Sequence, residues 1–187
     1  TYLKLGDLYS LSASPERYIS KNGTTIISQP IKGTAKRDSD PKEDKKLKVE
    51  LENDPKERSE NIMITDLVRN DLSRFAKKGT VKVAELCNVY SFAQVHQLVS
   101  TITCQVDLNR SPVSIIKETF PMGSMTGAPK ISAMKIIEKF EDAKRGLYSG
   151  AVGYFNPAGD FDFNVIIRSI LYNLKNKYVS FSVGGAI

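Results

Sequence analysis

Cysteine and histidine are scarce in this sequence, two and one respectively, and that excludes the usual staples of a small fold. Cys87 and Cys104 are too few for a disulfide scaffold, and with His96 alone to join them they make a poor zinc site, so both read as core or near-core thiols. No apolar run approaches the ~18 residues of a membrane span. The opening TYLKLGDLYS lacks a signal-peptide pattern, so a cytoplasmic location with no membrane partner is expected. A basic stripe interleaved with aromatics is also missing. The net charge of +6 is spread among acids, which speaks against a nucleic-acid partner and suits a small anionic substrate. The loop Gly123 to Gly127 lacks the Gly-Lys-Ser/Thr ending of a phosphate loop; Ala128-Pro129-Lys130 stands there, Pro129 removes a cradling amide, and nucleotide binding is set aside.

The 187 residues, 41% hydrophobic and 26% charged, have the composition of a globular protein with a real core. They are organised around Phe120 to Phe140, where a loop with two glycines feeds an amphipathic helix. Pro129 sits where a first turn would begin, and Ile131, Met134 and Ile137 give the helix an apolar stripe. From the residues alone this is either a turn before a core helix or an anion site built on free amides.

Along the chain, Leu3 to Leu11 reads as strand, Ser12 to Glu16 breaks it, and Lys21-Asn22-Gly23 turns a hairpin. Lys32 lies between a strand end and Gly33, and Glu16 follows a proline turn; either could be a solvated surface charge. Residues 35 to 50, with six basic and five acidic side chains, read as a mobile surface connection. Asp54-Pro55-Lys56-Glu57 signals the start of a helix reaching to about Lys78, with Asp54 as N-cap. On it Glu60 shares the side of Ile64 and Leu67, where an acid needs a cation or partner. Short strands are expected at 80–83 and 86–90, a longer one at 98–106, and a helix capped by Ser111 at 113–119. A strand meander follows over 149–155, 162–174 and 178–187. In the second of these Arg168 shares a face with Ile166 and Ile170, and a guanidinium there calls for a carboxylate or a ligand anion.

Taken in order, SASPERY, PIKGT, DPKERSENIMITDLVRNDL, FPMGSMTGAPK, and GYF followed by IIRS and GGAI resemble the motifs of the chorismate-utilising enzymes, and within them the para-aminobenzoate branch, aminodeoxychorismate synthase component I. The resemblance covers nearly the whole chain and implies an α+β fold, a fragment of the anthranilate-synthase-like chorismate-binding domain: two β-sheets with helices packed between or around them. It implies chorismate as substrate and Mg²⁺ held by Glu60. Arg168, Tyr154 and the backbone of Gly184 and Gly185 would hold a carboxylate end, and Gly127, Ala128 and Lys130 would line the same pocket. The lysine of PIKGT separates the branches, because anthranilate, isochorismate and salicylate synthases usually have alanine there. By resemblance Lys32 is a nucleophile at ring carbon 2, and Glu16 protonates the hydroxyl leaving carbon 4. Ammonia from a glutamine amidotransferase, as subunit or fused domain, then gives 4-amino-4-deoxychorismate on the route to para-aminobenzoate and folate. Anthranilate synthase component I, which makes anthranilate and pyruvate, is the alternative.

Two departures from the family pattern bear on the site. Many members place a histidine directly before Leu-Val-Ser, but here that position is Gln97 and His96 precedes it. The sequence also ends at Gly184-Gly185-Ala186-Ile187, before the segment that carries a second glutamate ligand in the family, so residues 1–187 are expected to be an incomplete catalytic domain, inactive by themselves.

Overall fold

In the computed structural model, which describes residues 1–185, the chain opens with strands β1 (Tyr2–Leu5) and β2 (Leu8–Ser12). After the Ser14-Pro15 break come β3 (Arg17–Asn22), β4 (Thr25–Gln29) and β5 (Ile31–Lys36), then helices α1 (Pro41–Asn53) and α2 (Pro55–Ser73). Strands β6 (Lys82–Ser91) and β7 (Val95–Gln105) lead into α3 (Pro112–Thr119), a 3-10 turn at Gly123–Met125, and α4 (Lys130–Phe140). The last described strands are β8 (Ala151–Phe155), β9 (Phe161–Val165), β10 (Ser169–Asn173) and β11 (Tyr178–Phe181). All pairing is antiparallel. Four strands form one sheet in the order β1-β2-β10-β11; the other runs β5-β7-β4-β3-β9-β8, with β6 also on β7. The expected α+β fold with two sheets is therefore present.

The core lies where α2 covers the larger sheet. Ile64, Val68 and Leu72, at helical spacing, pack with Ile19 and Ile26 of the hairpin and with Ile102 and Cys104 of β7. β7 is central and buried along almost its whole length, which is why its sequence lacks clean alternation. Asp54 starts α2 as anticipated: its carboxylate accepts from the Glu57 amide at 2.9 Å, while its own amide closes α1 on the Leu51 carbonyl.

The expected surface connection over 35–50 is helical from Pro41 onward. Most of the stretch is α1, whose only buried residue is Leu51, so its pattern resembled solvated chain. Capping and charge hold it instead. Asp40 accepts from the Lys42 amide, and Asp44 takes a two-pronged bond from Arg37 at 2.7 and 2.9 Å and faces His96 Nε2 at 3.0 Å. The Arg37 guanidinium, with the Asp38 amide, holds the Asp44 carboxyl well below the usual carboxylate range. His96, whose Nδ1 meets the Ser91 hydroxyl at 2.9 Å, thus ties β7 to α1.

The expected strand over 162–174 is two strands in two different sheets. β9 pairs with β3 and β8, whereas β10 pairs with β2 and β11, and the chain crosses between the sheets at Ile166 to Arg168. Arg168 is exposed in this crossing with φ +51, so it shares no strand face with the buried Ile166 and the exposed Ile170. The α4 helix forms where expected, but its stripe is not core in the described chain. Ile131 is 63% exposed and the buried member is Lys130.

Candidate active site

Glu16 is the point on which separated segments converge. Its backbone is tied on both sides: the amide donates to Ser14 Oγ at 3.3 Å, and the carbonyl accepts from the Val165 amide at 3.1 Å. The side chain is only 5% exposed. Burial raises its carboxyl from the ordinary 4.5 to about 7, against the opposing pull of the Ser124 hydroxyl, the Lys32 charge, the Ile31 backbone and the Arg168 charge. A carboxyl titrating there is protonated about half the time at neutral pH and can donate a proton. The neighbouring Arg17 is already engaged with both Asp162 oxygens at 3.1 Å and with Gln29 at 2.8 Å, which leaves Lys32 and Arg168 as the cations acting on Glu16.

Lys32 is half-buried at an irregularity of β5, where pairing with β7 slips between Ile31 and Thr34. Gly33 makes that irregularity possible. Its φ is +88, and a Cβ there would lie 3.1 Å from Glu57 Cβ and Oε2 and 3.2 Å from Leu51 Cδ1, so neither conformation nor space admits another residue easily. The helix junction is thereby pressed against the turn carrying Lys32. Gly123 has a matching role in the loop: a Cβ would come 2.7 Å from Leu67 Cδ2, so a bare backbone lets the loop sit on α2 and bring Ser124 to Glu16.

Arg168 is delivered from the crossing between sheets, and its carbonyl accepts from the Ala13 amide at 3.2 Å, fixing the crossing to the segment that carries Glu16. A non-glycine residue at φ +51 costs about 1 kcal/mol or more. Two cations beside a protonatable carboxyl make a pocket suited to an anion that must also receive a proton.

Lys130, expected to line the substrate pocket, is buried in the opposite sense. Its ammonium bonds the Asp71 carboxylate, the Thr119 carbonyl at 3.0 Å and the Pro121 carbonyl at 2.8 Å, so all three donors are used in clasping the glycine loop to α2. Gly127, at φ +138, and Ala128 lie within the clasped loop. We predict that Lys130→Met in the complete enzyme lowers unfolding stability by about 3–5 kcal/mol, because Asp71 is left buried without its partner. Chemical denaturation checks this; a loss below about 1 kcal/mol would show that water replaces the ammonium.

The remaining expected residues are more dispersed. Tyr154 is 64% exposed on β8, a strand at the sheet edge. Gly184 is exposed, and a Cβ there would meet the Tyr148 hydroxyl; Gly185 has open space around it, and Ala186 and Ile187 lie outside the described residues. Glu60, half-buried on α2, has Lys56 Nζ at 3.9 Å as its one ion pair among the described residues. Those residues contain no cluster of three or more metal-ligating side chains. A lone carboxylate with free oxygens fits Mg²⁺ only as one leg of a shell completed by water and substrate.

Sequence reasoning missed Ser124, whose signal was its place between the loop glycines. It also left Gln97 unassigned. That side chain is fully buried, opposite Thr34 of β5, and neither amide atom has a hydrogen-bond partner among the described residues.

The family model for chorismate binding enzymes matches residues 1–187. The chain is 44% identical over 186 residues to aminodeoxychorismate synthase component 1 of Escherichia coli, covering all of this chain and 41% of that protein. It is also 44% identical over 163 residues to an anthranilate synthase component 1 of Haloarcula marismortui, covering 87% and 30%. Among solved structures, anthranilate synthase component I of Streptococcus pneumoniae superposes with a TM-score of 0.80 at 34% identity, covering 91% of this chain and 37% of that one. The chain thus spans well under half the length of these relatives, and it belongs to the family of chorismate binding enzymes.

Proposed function

We propose that the chain is the part of an aminodeoxychorismate synthase that carries the nucleophile and the proton donor, acting on chorismate and ammonia to give 4-amino-4-deoxychorismate. The observation that carries this reading is the burial of Glu16 where the Lys32 charge reaches it, with its carboxyl raised by that burial to about 7. In the first step the lone pair of the Lys32 amine bonds to ring carbon 2, the two conjugated ring double bonds shift, and the carbon 4 hydroxyl leaves as water with the Glu16 proton. Ammonia then adds at carbon 4, the two double bonds shift back, and the bond to Lys32 breaks; the proton shed by the new amine restores Glu16. Arg168 serves a substrate carboxylate, with Tyr154 and the backbone of Gly127, Ala128, Gly184 and Gly185 around it. Lys130 acts by holding the loop. Magnesium, when bound through Glu60, supplies positive charge for a substrate carboxylate. A relative named component 1 supports an amidotransferase partner as the source of ammonia. Among the described residues no helix is long and apolar enough to cross a membrane.

The equal identity to an anthranilate synthase component 1 favours a second reading, in which the ring is aromatised and pyruvate released. Mass analysis of the product formed by the complete enzyme from chorismate and ammonium separates them: aminodeoxychorismate without pyruvate is expected, and anthranilate with pyruvate would overturn the first reading. Arg168→Ala is expected to weaken chorismate binding by about 2 kcal/mol, roughly thirtyfold in Kd, through loss of a charge-assisted bond. Calorimetry on the complete enzyme checks this, and an unchanged Kd would mean that Arg168 serves a protein acid.

A further inference from the structure

Between α2, strands β3 and β4 and the loop from Thr119 to Ser124 lies a cavity with about 20 Å³ of room, lined by Glu16, Tyr18, Val68, Asp71, Leu72 and Ser124 among others. A water needs upwards of about 10 Å³ and two or more polar partners. Asp71 supplies one. Its side chain is 5% exposed, one oxygen is taken by Lys130, and Oδ1 has no hydrogen-bond partner among the described residues. Arg74 Nη2 lies 3.8 Å from Oδ1, too long for a hydrogen bond. A buried acceptor left in this state is destabilising unless a water completes it. Tyr18 supplies another. Its hydroxyl meets Thr119 Oγ1 at 2.6 Å, a contact either oxygen can donate, and a hydroxyl with one such bond has hydrogen-bonding capacity left for a water.

We propose that this cavity is an internal water site anchored by Asp71 Oδ1, and that through its water Asp71 is a positioning residue for the proton of Glu16. The inference rests on the reading of Glu16 as the proton donor. A water donating to a carboxylate becomes a better acceptor, so it favours the protonated form of the carboxyl at its other end. The groups facing Glu16 are Lys32 from β5, Arg168 from the sheet crossing and Ser124 from the 3-10 turn. Those facing Asp71 are Lys130 at the start of α4, Arg74 one turn along, Tyr18 from β3 and Thr119 at the end of α3. Nothing else charged stands between the two acids among the residues lining the cavity except Arg17, which is engaged with Asp162.

The test uses the complete enzyme. A crystal structure at a resolution that shows ordered water should place one within hydrogen-bond distance of Asp71 Oδ1; a dry cavity overturns the proposal. The pH–rate profile for chorismate consumption should lose activity as Glu16 ionises, and Asp71→Asn should move that loss to lower pH by about half a pH unit or more, since the acceptor-only group is gone. In a Val68→Leu background, where the added methylene fills the cavity, Asp71→Asn should no longer move it. No movement in either background overturns the proposal, as does equal movement in both, which would be direct charge without water. Should Asp71→Asn leave Lys130 too costly for folding, Asp71→Asn with Lys130→Met removes both charges and is read the same way. An enzyme that binds the water but leaves chorismate unchanged refutes the functional reading and the role of Asp71 while keeping the site.

Discussion

Formation of aminodeoxychorismate is expected to fall at least tenfold when Lys32 of the complete enzyme is replaced by alanine, about 1.4 kcal/mol or more of barrier. The geometry argues for an effect on the chemical step. Lys32 projects from a slipped register in β5, held there by Gly33 against Glu57 and Leu51, and its charge is felt by the Glu16 carboxyl. A residue that only attracts the substrate would, when removed, raise KM; one that bonds to the ring lowers kcat with KM little changed. Mass spectrometry of enzyme quenched during turnover with chorismate and no ammonia should show an adduct on Lys32, absent from the alanine variant. Wild-type kcat in Lys32→Ala sinks the nucleophile assignment.

How much of this could be read in the sequence depends on whether the signal was local. The start of α2 was legible because an Asp-Pro pair with a glutamate behind it caps a helix with neighbouring atoms. The α1 helix was not, because its stability comes from Arg37 and His96 gripping Asp44, and His96 lies 52 residues further along. Arg168 lies in a stretch, Asp162 to Leu174, whose sequence reads as one strand; only the pairing partners of β9 and β10 show that the chain changes sheets there. The motifs pointed to Glu16 and Lys32, yet the feature that raises the Glu16 carboxyl, burial beside Ser124, comes with Gly123 sitting on Leu67, a contact no spacing rule encodes. Lys130 shows the converse. A lysine in a glycine loop suggests an anion ligand, and its use as an internal clasp follows from Asp71 being placed one helix away.

Glu16→Gln is expected to lower turnover about a hundredfold, the lower range for loss of a positioned acid, and to alter stability with a definite sign. Glutamine keeps the shape and a donor N–H but has no proton to give to a departing hydroxyl. In the folded chain burial places the Glu16 carboxyl near 7, above the ordinary 4.5 expected of the unfolded chain. For an acid raised on folding, the contribution to stability is complete below about 4.5 and is lost as pH rises through about 7. That difference is worth about 3 kcal/mol at most. Unfolding free energies of the complete wild-type enzyme should therefore decline between pH 5 and pH 8 by up to about this amount relative to Glu16→Gln, whose amide does not titrate. The variant should be the less active protein throughout and the more stable one at pH 8. Parallel stability curves for the two proteins would show that Glu16 ionises normally, and with that its role as the proton donor would fall, whatever the residual activity of the variant.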